Sequence, residues 1–128
     1  MQAKTFRGTF KIMTEENPTP IVLAIDDSEL IHHLLKTHLQ GENLELHSAT
    51  SCEDGFKKVM ELNPDLILLD IIMDDTDGFD FLKKLKQDPR TQNISVILIS
   101  GLNESVDREK GFDIGAFDFI ANHLINMS

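Results

Sequence analysis

Five short apolar runs punctuate the chain: IVLAI (21–25), LELHSA (44–49), DLILL (65–69), ISVILIS (94–100) and AFDFIA (116–121). The segments between them carry apolar residues at helical spacing. In SELIHHLLKTHLQ (28–40), Ile31, Leu34, Leu35, His38 and Leu39 share one face, and Gly41 reads as the stop. A second helix has two candidate capping boxes, Thr50 with Glu53 and Ser51 with Asp54. It is expected to bury Phe56, Val59 and Met60 and to end before Pro64. A third helix runs around FDFLKKLK (79–86) and stops near Asp88-Pro89. The fourth, NESVDREKGF (103–112), is more polar, with Val106 and Phe112 its clear apolar positions.

Short apolar strands alternating with helices predict βα units and a parallel sheet. Right-handed crossovers then place helices on both faces, and a continuous run such as DLILL suits a strand covered on both sides. Ligands of such sheets bind beyond the carboxyl ends of the strands, where the strand order switches. The residues to inspect are therefore those at the tips: Asp26 and Asp27, Asp70, Ser100 and Asn122.

Taken singly, Asp26-Asp27 reads as a helix cap and Asp70 as a turn residue. Converging at one end of a sheet, three carboxylates repel one another and are best tolerated around a cation. Hard oxygen donors with room for water suit Mg²⁺. A carboxylate beside that ion can act as a nucleophile toward a phosphoryl group, whose equatorial oxygens gather charge that the metal neutralises. Ser100 can donate a hydrogen bond to one of those oxygens. The acidic loop MDDTDG does not fit calcium: with Gly78 at loop position 6, position 1 is Met73 and position 12 is Lys84, and both ends fail. Asp74, Asp75 and Asp77 are then loop and cap residues.

Composition narrows the picture. A length of 128 residues suits one domain, and a net charge of −10 argues against a nucleic-acid surface. Cys52 is the one cysteine, so an internal disulfide is excluded and a reducing cytoplasm fits best. No apolar run is long enough for a signal peptide or a membrane span. His32, His33 and His38 on the first helix and His47 on a strand lack metal-ligand spacing and read as surface or packing residues, with His33 the more solvent-facing of the first pair. Cys52 reads as an inert small residue.

The pieces IVLAIDD (21–27), LILLDIIMDDTDG (66–78), VILISG (96–101) and GAFDFI (115–120), in this order and spacing, resemble the receiver domain of two-component response regulators. The resemblance implies a doubly wound, flavodoxin-like α/β fold with a five-stranded parallel sheet of order 2-1-3-4-5. It implies that Asp70 accepts a phosphoryl group from the phosphohistidine of a sensor histidine kinase or phosphotransfer protein, any enzymatic activity being limited to self-phosphorylation and self-dephosphorylation there. Mg²⁺ would be held by Asp27 directly, by Asp26 mostly through water, and by Asp70 and the backbone carbonyl of Ile72. Ser100 and Phe119 match the hydroxyl and aromatic positions that move together on activation.

Departures are as informative. Asn122-His123 stands where the family has Lys-Pro, so a neutral amide replaces the cation expected to pair with Asp70. Asp74 stands where the family has proline. LINMS is too short for the family's fifth helix, so the expected layout is an N-terminal tail or linker (1–19) and a C-terminally shortened receiver domain (20–128) lacking that helix. Either the chain is a fragment of a longer protein, or something else covers the sheet face left open: a homodimer or domain-swapped oligomer, or the N-terminal stripe Phe6, Phe10 and Met13. Two function classes follow: a phospho-acceptor signalling domain, and a pseudo-receiver that works by protein contacts alone. Neither nucleic acid nor membrane is an expected partner.

Overall fold

The structure, a computed structural model, describes residues 19–73, 75–100 and 104–121. Along the chain run β1 (Ile21–Ile25), α1 (Glu29–His38), β2 (Glu45–Ala49), α2 (Cys52–Leu62), β3 (Leu66–Asp70), α3 (Gly78–Gln87), β4 (Ser95–Ser100), α4 (Glu104–Ile114) and β5 (Asp118–Ala121). The strands pair in parallel in the order β2-β1-β3-β4-β5, as expected, with four helices among the described residues. None of these helices is long and apolar enough to cross a membrane.

Strand alternation divides the interior into two cores. Leu23, Ile25, Leu69, Leu98 and Phe119 point to one face, where Val59 of α2 and Phe81, Leu82 and Leu85 of α3 pack on them. Val22, Ala24, Leu68, Ile97, Ile99 and Ile120 point to the other, against Ile31, Leu35 and Leu39 of α1 and its C-cap. β3 reads LILLD and its first four residues are buried, because both of its faces are covered. β2 lies at the sheet edge and keeps exposed or half-exposed residues until Ala49. Register sets Asp70 beside Ile99, and Ser100 beside Ala121, so the strand tips share one rim.

Several boundaries shift for local reasons. α1 stops at His38 with Leu39 as its C-cap, and Gly41 (φ 91°) serves the turn that follows. Ser51 rather than Thr50 caps α2, its Oγ accepting the Asp54 N–H at 3.0 Å. α2 ends on Asn63 in the left-handed conformation, one residue before Pro64. Its fully buried side is Cys52, Gly55 and Val59, while Phe56 and Met60 are half-buried. Gly55 is required by close approach: a Cβ there would lie 2.8 Å from Ile25 Cδ1.

α4 departs furthest from expectation. Val106 and Phe112, its clear apolar positions, are 58% and 43% exposed. The helix instead presents Gly111 to the sheet, where a Cβ would overlap Leu98 Cδ1, and rests Ile114 on the core. β5 begins at Asp118, not Ala116, and Phe117 is half-exposed although its N–H bonds the Val96 carbonyl at 2.8 Å. Phe6, Phe10 and Met13, Asn122 and His123, and the segment bearing on a fifth helix lie outside the described residues.

Candidate functional site

The site forms where β1 and β3 end side by side. Asp26 follows β1 directly, and its N–H still bonds across to the Ala49 carbonyl at 3.0 Å. That continuation of the ladder draws the carboxylate into the protein, leaving the residue 2% exposed. Its Oδ1 accepts the Ser28 N–H at 2.8 Å, while Oδ2 is buried without a hydrogen-bond partner. Asp27 is more open to solvent, and Asp70, the last residue of β3, is half-buried. One oxygen from each of Asp26, Asp27 and Asp70 lies within 4.8 Å of the others. The three acids expected to converge do so.

Electrostatics follow from this crowding. Burial pushes the Asp26 carboxyl up, against the Ser28 N–H and the nearby His32, which lower it, while the Asp27 charge pushes it further up. Asp70 is raised to about 7, first by burial and then by the Asp26 charge, with the Ile72 N–H opposing. Such a pair favours either a shared proton or a bound cation. The donor set fits a hard divalent ion: three carboxylates, one carrying a buried oxygen that the protein itself leaves unsatisfied.

The loop after β3 is shaped to close on this corner. Ile71 N–H bonds the Ile99 carbonyl at 3.1 Å, and Gly78 N–H bonds the Ile71 carbonyl at 2.7 Å. A Cβ on Gly78 would lie 2.5 Å from the Asp70 carbonyl oxygen and from Ile71 Cα, so only glycine lets α3 start this close to the site. Asp77 caps α3 by accepting the Phe79 N–H at 2.7 Å. Ile72 N–H donates to Asp70 Oδ1 at 3.1 Å, and its side chain is 50% exposed.

Other expected residues are placed with equal clarity. Phe119 is buried, with the Arg108 guanidinium 5.2 Å from its ring centroid. Ser100 ends β4, but its hydroxyl lies outside the description, as does Asn122. Cys52 is buried, and burial together with the Asp75, Asp70, Asp77 and Asp27 charges pushes its thiol up to about 12, so it is inert. His33 is exposed as expected. His32, expected only at the surface or in packing, reaches back so that Nε2 lies 2.6 Å from the Asp26 carbonyl oxygen. Helical spacing offers no signal for that contact, because it depends on how closely α1 folds over its own N-terminal turn.

A model of the response regulator receiver domain matches residues 22–124, and the chain belongs to this family of two-component signalling proteins. It is 34% identical over 101 residues to the DNA-binding dual master transcriptional regulator RpaA of Synechocystis, covering 79% of this chain and 42% of that protein. It is 38% identical over 103 residues to the response regulator PleD of Caulobacter vibrioides, covering 80% of this chain and 23% of that protein. The chain thus spans less than half the length of these curated relatives. Among solved structures, a response regulator from Chloroflexus aurantiacus superposes with a TM-score of 0.76 at 22% identity, over 85% of this chain and 93% of its own. The Mn²⁺-bound form of response regulator Rcp1 gives 0.73 at 22% identity, over 84% and 88%. At these identities the superpositions establish the fold. Receiver domains as a family work with histidine kinases or phosphotransfer proteins.

Proposed function

We propose that this domain takes a phosphoryl group from the phosphohistidine of a kinase or phosphotransfer partner onto Asp70, with Mg²⁺ held by Asp26, Asp27, Asp70 and the backbone carbonyl of Ile72. The observation that carries the reading is the convergence of the three carboxylates within 4.8 Å at the strand tips, one of them with an orphaned buried oxygen. The solved relative Rcp1, bound to Mn²⁺, supports a divalent ion in a fold of this kind.

In this mechanism an Asp70 carboxylate oxygen attacks phosphorus. The new O–P bond forms as the P–N bond to the partner imidazole breaks, and the bonding pair returns to that nitrogen, which takes up a proton. The Ile72 N–H holds Asp70 Oδ1 in place and so orients the carboxylate for attack. Mg²⁺, when bound, neutralises charge on the transferring oxygens. Asp26 and Asp27 hold the cation, and Asp26 is itself fixed by the Ser28 N–H. Ser100 and Phe119 form the hydroxyl and aromatic pair that responds to the phosphoryl group. A cytoplasmic setting matches this partner chemistry and the free thiol of Cys52.

A second reading, the pseudo-receiver acting by protein contacts alone, draws on Asn122, a neutral amide in the place of the family's lysine. Losing one charge-assisted hydrogen bond costs about 1.5–3 kcal/mol. Incubation of the chain with a small acyl phosphate and Mg²⁺, followed by intact mass, separates the two. We expect one phosphoryl adduct that is lost in Asp70→Asn. Absence of both the adduct and Mg²⁺ binding would leave the pseudo-receiver.

A further inference from the structure

Asp75 lies in the loop between β3 and α3, yet its carboxylate serves a different helix. Oδ1 accepts the Cys52 N–H at 3.1 Å and Oδ2 accepts the Glu53 N–H at 3.1 Å, some two dozen residues back along the chain. Cys52 and Glu53 are the first two residues of α2. Their N–H groups are among the donors that a helix cannot satisfy internally. Ser51 Oγ takes the third, from Asp54, and Gly55 N–H already closes on the Ser51 carbonyl at 2.9 Å. The α2 N-terminus is therefore capped by two separate stretches of chain, and the second is the active-site loop. The positive end of the helix dipole favours a carboxylate in this position. Beside it, Cys52 Sγ contacts the Thr76 carbonyl oxygen at 3.8 Å, a second tie between the same two segments.

The ties matter because of what the loop carries. Its first residues hold the site: Ile72 N–H grips Asp70 Oδ1, and Ile71 is fixed at both its N–H and its carbonyl. Its far end is fixed by Asp77 on α3. Between these anchors, Asp75 is the one residue whose side chain ties the described part of the loop to α2 by paired hydrogen bonds.

We infer that Asp75 is a positioning residue for the Mg²⁺ site: it latches the β3–α3 loop to the N-terminus of α2, so that the Ile72 carbonyl is presented to the cation in a fixed place. This rests on the Mg²⁺ reading given above. Latch and cation are then energetically coupled, and coupling is reciprocal. Loosening the latch weakens Mg²⁺, and binding Mg²⁺ protects the amides that the latch holds.

The test uses the full chain as wild type, Asp75→Ala and Asp75→Asn, with Mg²⁺ affinity by calorimetric titration and amide exchange at Cys52 and Glu53. Loss of a residue that orients a metal ligand typically costs ~10-fold or more in affinity, and Asp75→Ala is expected to fall there. Asp75→Asn loses the same charge but keeps one accepting oxygen, so it should sit between alanine and wild type. Mg²⁺ should slow exchange of the Cys52 and Glu53 amides in wild type and not in Asp75→Ala. The latch is overturned if Asp75→Ala binds Mg²⁺ like wild type. It is equally overturned if the two variants weaken alike, which would mark a pure charge effect, or if Mg²⁺ protection of those amides persists in Asp75→Ala. A wild type that binds no Mg²⁺ would instead remove the metal reading itself, and the latch's role with it.

Discussion

Asp70 titrates well above the range it has in water. Its carboxyl is raised from 3.8 to about 7 by burial and by the Asp26 charge. Between those two values the folded chain binds more protons than the unfolded one, so this group's contribution to stability is full at low pH and is lost as pH rises toward 7. We therefore expect the metal-free protein to lose more of its melting temperature between pH 4 and 8 than Asp70→Asn does, read as the difference between the two melting curves. Mg²⁺ should shrink that difference, since the cation relieves the repulsion. If the two proteins keep a constant offset across the range, the crowding of Asp26 and Asp70 has been misjudged. Cys52 offers a second check at this scale. Buried and with its thiol pushed up to about 12, it should resist alkylation at pH 8 in the native state and react once urea unfolds the chain.

At the scale of elements, much of the site was legible because a parallel sheet sends every strand's C-terminal end to one rim. An acid that follows β1 or ends β3 arrives there whatever the loops do, and so Asp26, Asp27 and Asp70 could be named from spacing alone. That the acidic loop would supply cap residues, and that α2 would start at Thr50 or Ser51 and end before Pro64, were legible for a similar reason, since caps are local chemistry; the structure selects Asp77 and Ser51. What could not be read is the particular target of a side chain: His32 on the Asp26 carbonyl just before its own helix, or Asp75 on α2 rather than on its own loop. Helix α4 was misleading, because close approach rather than apolar bulk governs its packing, and a glycine gives no hydrophobic signal. That distinction is measurable. In Gly78→Ala the new Cβ meets the Asp70 carbonyl oxygen and Ile71 Cα, both main chain. In Gly111→Ala it meets chiefly the end of the Leu98 side chain, which can turn aside. Overpacking typically costs about 1–3 kcal/mol. Urea unfolding should show Gly78→Ala at or above that range and Gly111→Ala below it. The phosphoryl adduct should also diminish in Gly78→Ala, because the displaced backbone is that of Asp70.

Over the whole molecule, one sheet divides two cores, and the arrangement bears on how the domain unfolds. Periodicity foretold helices on both faces, while the strand order came from family resemblance, since hydrophobic pattern alone does not distinguish one crossover sequence from another. Among the described residues the two cores meet at the strands that separate them: Leu23 and Ile25 of β1 face one side, Val22 and Ala24 the other. A sheet of this kind cannot lose one face and keep the other, because each strand's backbone ladder is shared by both. Ile25→Val and Ile120→Val test this. Ile25 lies in the core beneath α2 and α3, and Ile120 in the one beneath α1. β1 and β5 stand three strand spacings apart in the sheet, on the order of 14 Å. Each change should cost about 0.5–1.5 kcal/mol. At that separation the double variant should show their sum within about 0.5 kcal/mol. All three variants should unfold in a single urea transition whose midpoint moves while its slope stays constant. A second transition, or a lower slope in either single variant, would show that one core can melt while the acidic rim between the strands is still standing.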